Sequence, residues 1–336
     1  MKKYINPDKS QWDEISKRPN INQEQLTNVV STIINNVKQN GDDALFNYSN
    51  QFDGVELKSL KVNKKELLNA DKKVSSALKN AIKIAYDNIY SFHNYQKLNE
   101  GVIETTPGVI CWRKSLAIEK VGLYIPGGSA PLFSTILMLG IPAQIAGCNE
   151  IIICTPPNKN GEINPVILYT ANLIGITKIY KVGGAQAIAA MANGTETIPK
   201  TYKIFGPGNQ YVTKAKEMIQ QAGVAIDMPA GPSEVLVIAD QTCNPIFVAA
   251  DLLSQAEHGA DSQVLLLSDN QQILEQCLLE IEKQVAQLSR KETAEKALMN
   301  SKVILLNNLK ECMEFSNEYA PEHLILATEF SNKLIN

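Results

Sequence analysis

The chain has 336 residues, of which 44% are hydrophobic and 20% are charged. This composition is that of a globular protein long enough for two domains, and it excludes a disordered or fibrous chain. The 32 basic and 35 acidic residues leave a formal net charge of −3. We therefore expect no nucleic-acid or membrane partner, and a small molecule instead. The six scattered cysteines include no C-x-x-C pair and no signal-peptide core follows Met1, which predicts a cytoplasmic location.

The first hundred residues have a helical pattern. Apolar side chains recur at three- and four-residue spacing over residues 21–100, which predicts an N-terminal segment of amphipathic helices. Helices of this kind usually serve packing or subunit contact, so we assign no chemistry to them. His93 is expected to be a surface or core histidine.

Strands and helices alternate from residue 108 onward. Strands are predicted at 108–113, 117–126, 151–155, 178–182, 203–205, 234–239, 263–267, 303–306 and 324–326. Helices are predicted from 132, 245 and 309 and over 165–173, 185–191, 211–221 and 273–288. The alternation predicts an α/β fold with two doubly wound, incomplete Rossmann-like parallel-sheet domains. One discontinuous α/β domain is expected over 1–120 and 234–336, with an inserted α/β domain over 121–233.

Three glycine turns follow predicted strands, at Gly127-Gly128, Gly183-Gly184 and Gly206-Pro207-Gly208. In open α/β sheets ligands bind beyond the carboxyl ends of the strands, where backbone N–H groups can meet an anion. None of the turns matches the G-x-G-x-x-G or P-loop motif. A nucleotide or phosphate ligand and plain turn chemistry both stay open.

One histidine lies close to a predicted helix end. Asn244 is a predicted N-cap, Pro245 the first helical residue and Gly259 the C-terminal stop. Gln255 and His258 would then stand three residues apart on one face of the last turn. The pattern favours either a histidine that caps its helix or a ligand-binding pair.

A second histidine, His323, follows Glu322 just before a predicted strand. A carboxylate and an imidazole are a common pair for proton transfer. Adjacent side chains on an extended strand point to opposite faces, so the two can serve one ligand only if the chain bends there. The alternative is a cap and a surface histidine.

Six motifs resemble those of the histidinol dehydrogenase family in order and spacing. They are VGLYIPGG at 121–128, GGAQAI at 183–188, FGPGN at 205–209, DMPAGPSE at 227–234, QAEHG at 255–259 and APEHL at 320–324. The resemblance covers the chain from about residue 25 to its end. It implies NAD-dependent oxidation of L-histidinol through L-histidinaldehyde to L-histidine, in histidine biosynthesis.

The resemblance also implies roles for particular residues. Gln255 and His258 would bind a zinc ion that positions the substrate. Residues matching the family's substrate contacts are Ser233, Gln255, His258, Glu322 and His323, and those matching its NAD contacts are Tyr124, Gln186 and Asn209. Among the catalytic residues, His323 would take protons during alcohol oxidation and Glu322 would activate water to attack the aldehyde. The resemblance further implies a homodimer.

The sequence departs from the family pattern at its end. Family members continue through another zinc-binding aspartate and a C-terminal helical domain that supplies a histidine to the partner's site. We therefore expect an incomplete metal site and weak activity, because two protein ligands are too few for firm zinc binding. A truncated subunit that keeps only fold and dimer contacts is one alternative. Another is an aldehyde-oxidising or phosphate-binding α/β enzyme that uses a cysteine, although Cys148 and Cys154 lie in poor surroundings for a reactive thiolate.

Overall fold

The computed structural model describes residues 1–18, 23–97, 101–127, 131–229, 234–260 and 262–335. The chain forms two compact units. The central unit is Asn22–Ala230, and the discontinuous unit joins Met1–Ile21 to Gly231–Asn336. None of the helices in the described ranges combines the length and apolar character that a membrane span needs.

The elements alternate along most of the chain. The first part contains β1 (Lys2–Ile5), α1 (Trp12–Ser16), α2 (Gln23–Tyr48), α3 (Lys64–Lys73), α4 (Ser76–Tyr95), β2 (Val102–Thr106), β3 (Val109–Trp112), β4 (Lys120–Tyr124), α5 (Phe133–Ala146), β5 (Glu150–Thr155), α6 (Pro165–Leu173), β6 (Lys178–Lys181), α7 (Gly184–Asn193), β7 (Lys203–Phe205), α8 (Gln210–Gln221) and β8 (Ala225–Ile226). The second part contains β9 (Glu234–Ala239), α9 (Pro245–Ala256), β10 (Gln263–Ser268), α10 (Gln271–Val285), α11 (Lys291–Met299), β11 (Lys302–Leu305), α12 (Leu309–Tyr319), β12 (His323–Ala327) and α13 (Ser331–Leu334).

The central unit is built on a parallel sheet of order β6-β5-β4-β7-β8. Successive side chains of a strand point to opposite faces, so Leu123 packs with α3, α4, α5 and α6, whereas Tyr124 packs with α2, α7 and α8. Helices on both faces are what a buried parallel sheet requires. The chain winds outward from β4 to β6 and then returns to the other side of β4 as β7, so its direction of winding reverses between β4 and β7.

The discontinuous unit repeats this plan. Its parallel sheet has the order β1-β11-β10-β9-β12. Helices α9, α10 and α11 cover one face, and α1 and α12 cover the other. The winding reverses between β9 and β12. The predicted α/β class with doubly wound parallel sheets is thus confirmed.

The grouping of the N-terminal helices differs from the expected domain division. Residues 22–120 were expected to join 234–336, but α2 packs on α7 and α8, and α3 and α4 pack on α6 and α5. These helices cover the faces of the central sheet, so they belong to its unit. Only the first residues of the chain join the discontinuous unit, where β1 pairs in parallel with β11.

Several short elements were not predicted. Strand β1 is a charged edge strand of KKYI sequence, and its strand pairing depends on β11, about 300 positions later. The predicted strand at 108–113 pairs as β3 with β2 in an antiparallel hairpin instead of joining the parallel sheet. Every residue of β2 and β3 is exposed. This hairpin (Val102–Trp112) therefore lacks the apolar cover that a two-stranded ribbon needs for stability.

Candidate functional site

Helix α9 carries the first pair of predicted site residues. The Oδ1 atom of Asn244 accepts the N–H of Ile246 at 3.0 Å, and Pro245 is the first helical residue, as predicted. The predicted stop at Gly259 is wrong, because the helix ends at Ala256 with Glu257 as its C-cap. Gly259 does not have the left-handed φ of a helix-ending glycine.

This early end separates Gln255 from His258. Gln255 lies in the helix and is 7% exposed, whereas His258 lies in the following turn and is exposed. The N–H of His258 still donates to the carbonyl of Gln255 at 3.2 Å, and Arg290 Nη2 donates to the carbonyl of His258 at 3.4 Å. The two residues thus stay adjacent, but they do not share one helical face.

A zinc ion needs more donors than this pair supplies. Protein zinc sites use three or four ligands. The described ranges contain no group of three or more His, Cys, Asp or Glu side chains placed so that they could hold a metal ion. Gln255 and His258 could therefore supply at most two of the ligands that a zinc site needs.

Glu322 and His323 lie where the chain turns from α12 into β12. Ala320 ends the helix with a left-handed φ of 49°, and the backbone bends again at Glu322. The bend allows the two side chains to approach, with His323 Nε2 3.9 Å from Glu322 Oε1. The chain therefore has the bend that the two side chains need if they are to serve one ligand. Glu322 Oε2 also accepts the N–H of Glu234 at 3.3 Å, which ties the carboxylate to the start of β9.

Both pairs lie at the amino ends of the strands of the discontinuous unit. Helix α9 runs back along the sheet, so its end lies near the start of β10, and β12 begins with His323. The expectation that ligands bind beyond the carboxyl ends does not apply to these residues. A cavity of about 460 Å³ does lie at the carboxyl ends, between Thr242-Cys243-Asn244 and Leu326-Ala327-Thr328. No predicted site residue that the structure describes lines it.

The predicted NAD contacts lie at the carboxyl ends of the central sheet. Tyr124 ends β4, and its hydroxyl accepts the N–H of Gly184 at 3.0 Å. Burial raises the pKa of Tyr124 to about 12, so the phenol is neutral at physiological pH. Gln186 is 3% exposed in the first turn of α7. Asn209 is the N-cap of α8, and its Oδ1 accepts the N–H groups of Tyr211 at 3.1 Å and Val212 at 3.2 Å.

An ion pair between a buried lysine and a half-buried aspartate holds the glycine turn after β7. Gly206 has φ of 135°, and a Cβ there would lie 2.1 Å from the carbonyl oxygen of Tyr124. Its N–H donates to Asp227 Oδ2 at 2.8 Å, and its carbonyl accepts from Lys216 Nζ at 2.9 Å. Lys216 and Asp227 also pair with each other. Sequence reasoning missed both charged residues, because their motifs carry no sign that they meet at Gly206.

These contacts limit the anion-binding role expected for the glycine turns. The N–H groups of Gly184 and Gly206 already donate to Tyr124 and Asp227. The turns instead bring β4, α7 and α8 together beside the reversal between β4 and β7. In doubly wound sheets that reversal opens the crevice in which nucleotides bind.

Two residues of the predicted sites, the substrate contact Ser233 and Gly128 of the first glycine turn, lie outside the described residues.

The cysteine-based alternative finds no support, because burial raises the pKa of five thiols. These are Cys148, Cys154, Cys243, Cys277 and Cys312. A reactive cysteine needs the opposite shift. The remaining thiol, Cys111, lies exposed on β3 of the hairpin.

Comparison with known proteins gives one consistent family. The family model described as histidinol dehydrogenase matches residues 16–336. A histidinol dehydrogenase of Bacteroides fragilis is 54% identical over 100% of this chain and 79% of its own length. One from Escherichia coli O157:H7 is 50% identical over 97% of this chain and 75% of its own length.

A solved structure agrees with these sequence matches. The crystal structure of histidinol dehydrogenase from Elizabethkingia anophelis is 58% identical and superimposes with a TM-score of 0.94, covering 99% of this chain and 77% of that one. The chain belongs to the histidinol dehydrogenase family.

Proposed function

We propose that the chain oxidises L-histidinol through L-histidinaldehyde to L-histidine, with NAD as the electron acceptor, as a step of histidine biosynthesis. The observation that carries this proposal is the Glu322–His323 pair, a carboxylate and an imidazole 3.9 Å apart at an exposed bend. Family membership supplies the substrate. Each cysteine is a free thiol, which suits a reducing compartment, and we propose the cytoplasm.

The pair suits the two chemical steps. In the first, the imidazole of His323 accepts the hydroxyl proton of the alcohol while a hydride leaves the adjacent carbon. In the second, the carboxylate of Glu322 accepts a proton from water as the water oxygen attacks the aldehyde, and a second hydride leaves the hydrate. NAD, when bound, supplies the hydride acceptor. The balance is one alcohol, one water and two NAD⁺ giving one carboxylate, two NADH and three protons.

The central unit is the proposed NAD-binding part. Tyr124, Gln186 and Asn209 surround the carboxyl end of β4, beside the reversal of the sheet. The Lys216–Asp227 pair holds Gly206 and thereby fixes the loop that leads to Asn209. A loop that is held in this way before binding loses less conformational entropy when a dinucleotide binds.

Zinc is proposed as a second cofactor. The carboxamide of Gln255 and the imidazole of His258 would hold it, and it would orient the amino alcohol.

A homodimer is proposed from the hairpin of β2 and β3. Ile103 is 63% exposed, Val102 67% and Trp112 65%. Exposed apolar side chains in such number on one ribbon mark an interaction surface. A second copy of this chain is the proposed partner.

The two catalytic roles predict different losses. His323→Asn should slow histidinol oxidation by about 100-fold or more, the usual contribution of a general base. Glu322→Gln should slow histidinaldehyde oxidation by a similar factor and histidinol oxidation to the aldehyde much less. Single-turnover NADH formation from each substrate measures this. His93→Asn on α4 and Glu318→Gln on α12 serve as controls. Equal losses with both substrates, or losses as large in the controls, would contradict the assignment.

Asn209 allows a matched test of the NAD site. Asn209 and Asn270 both cap a helix by accepting two backbone N–H groups. Each change to Ala should therefore lower stability by about 1 kcal/mol. Only Asn209→Ala should also raise the KM for NAD several-fold, since only Asn209 lies at the proposed crevice. Thermal unfolding and NAD titrations separate the two effects, and an equal KM for both variants would refute the contact.

His258 tests the zinc proposal. His258→Asn should weaken zinc binding at least about tenfold, because even groups that only support a ligand usually contribute this much. Equilibrium dialysis followed by elemental analysis gives the bound zinc independently of activity. His93→Asn is the control, and equal zinc affinity of the two variants would exclude His258 as a ligand.

The hairpin predicts a charge-sensitive dimer. Ile103→Lys should shift the chain from dimer to monomer in light scattering coupled to gel filtration, because a buried unpaired charge costs several kcal/mol. Leu279→Lys on α10 is the control, since Leu279 is exposed to a similar degree, at 65%. A dimer that survives Ile103→Lys, or one that Leu279→Lys disrupts equally, would contradict the proposed surface.

A further inference from the structure

Arg18 contacts three residues beside the Glu322–His323 bend, namely Glu234, Tyr319 and Ala320. Its Nε and Nη2 atoms pair with the two carboxylate oxygens of Glu234, Nη2 to Oε2 at 2.9 Å. Nη2 also donates to the carbonyls of Tyr319 at 2.9 Å and Ala320 at 3.1 Å. The guanidinium carbon lies 4.5 Å from the centroid of the Tyr319 ring. One side chain thus holds the start of β9 and the end of α12 together.

These contacts fall at a strained point of the chain. The last carbonyls of a helix have no partner within it, and a cation there satisfies them. Ala320 adopts a left-handed φ of 49°, which is unfavourable for a residue with a Cβ. By binding the carbonyls of Tyr319 and Ala320, Arg18 stabilises the conformation from which Pro321, Glu322 and His323 leave.

The same side chain acts on Glu322 through Glu234. The backbone N–H of Glu234 donates to Glu322 Oε2 at 3.3 Å, so the Glu322 carboxylate lies beside the start of β9. The side chain of Glu234 is 6% exposed. A buried carboxylate needs a cation to offset the loss of water around it. The bidentate pair with Arg18 supplies this cation and so holds the start of β9, on which Glu322 is hydrogen-bonded.

The N-terminal segment that carries Arg18 is itself anchored. Lys302, at the start of β11, donates from Nζ to the carbonyl of Lys17 at 2.7 Å and also to that of Ile15. On the other side, Tyr319 donates its hydroxyl to Gln263 Oε1 at 2.8 Å. The backbone just before Arg18 and the Tyr319 ring that its guanidinium contacts are therefore both held in place. A group that orients another must be fixed in this way.

We propose that Arg18 is a positioning residue for the reaction: through Glu234 and the carbonyls of Tyr319 and Ala320, it sets the placement of the Glu322 carboxylate and the His323 imidazole. The inference rests on the proposed function of that pair. It assigns to the first residues of the chain a part in chemistry carried out more than 300 positions later.

The test compares changes at Arg18 with two controls. Arg18→Ala should lower kcat for histidinol by about 10- to 100-fold, the range that displaced active groups usually cost. The KM values for histidinol and NAD should change less than about threefold. Guanidinium at millimolar concentration should restore part of kcat, because the Arg18 side chain is 40% exposed and its place beside Glu234 can be reached. Methylammonium should restore less, since it cannot bind two oxygens in one plane.

Arg18→Lys covers the case in which Arg18→Ala fails to fold. A single ammonium cannot meet Glu234 and both carbonyls at once, so kcat should still fall. Lys9→Ala removes another ion pair between the N-terminal segment and α12, that of Lys9 with Glu314, and should keep kcat. Leu274→Ala, in the core of the same unit, should lower stability and keep kcat in folded protein.

Two outcomes overturn the inference. One is full kcat in Arg18→Lys. The other is a loss of kcat in Leu274→Ala as large as that in the Arg18 variants, which would reduce the effect to stability. Failure of the proposed function is distinguishable, because it would appear as full activity of Glu322→Gln and His323→Asn.

Discussion

Both units depend on one constraint, the return of the chain to the free edge of a central strand. Parallel strands need long crossovers, and right-handed crossovers in one direction fill only one side of that strand. The chain therefore comes back as β7 beside β4, and as β12 beside β9. This return joins residues that are far apart in sequence. Gly184 donates to Tyr124 across 60 positions, and Glu234 donates to Glu322 across 88 positions.

The local signals in the sequence were sufficient for the fold class and for several helix starts. Asn244 with Pro245 predicted the start of α9, because a cap and a first-turn proline act within a few residues. The predicted end of α9 at Gly259 is wrong, because the helix ends three residues earlier, at Ala256. The bend at Glu322 could be stated only as a condition, because a left-handed alanine has no sequence signature.

The charged residues that hold the candidate sites could not be predicted in this way. Arg18 meets Tyr319 across 301 positions, and Lys216 and Asp227 meet at Gly206. The order of the strands in each sheet decides which residues these side chains meet. The spacing of apolar residues predicts strands and helices, but it does not predict that order. The same limit explains β1, whose KKYI sequence reads as a polar start until β11 provides its pairing partner. The sequence likewise gave no sign that the Gln255–His258 and Glu322–His323 pairs lie at the amino ends of strands, against the usual rule for such sheets.

The split of the discontinuous unit also sets an order of assembly during synthesis. Strand β1 and helix α1 leave the ribosome before the central unit, but their partners β11 and α12 follow it. At a synthesis rate of about 5–20 residues per second, the segment with Arg18 waits roughly 15–60 s for Tyr319. An unpaired strand is open to pairing with other chains during that time, and lysines on an edge strand discourage it. Lys2 and Lys3 on β1 thus protect a segment that is made before the central unit and docked after it.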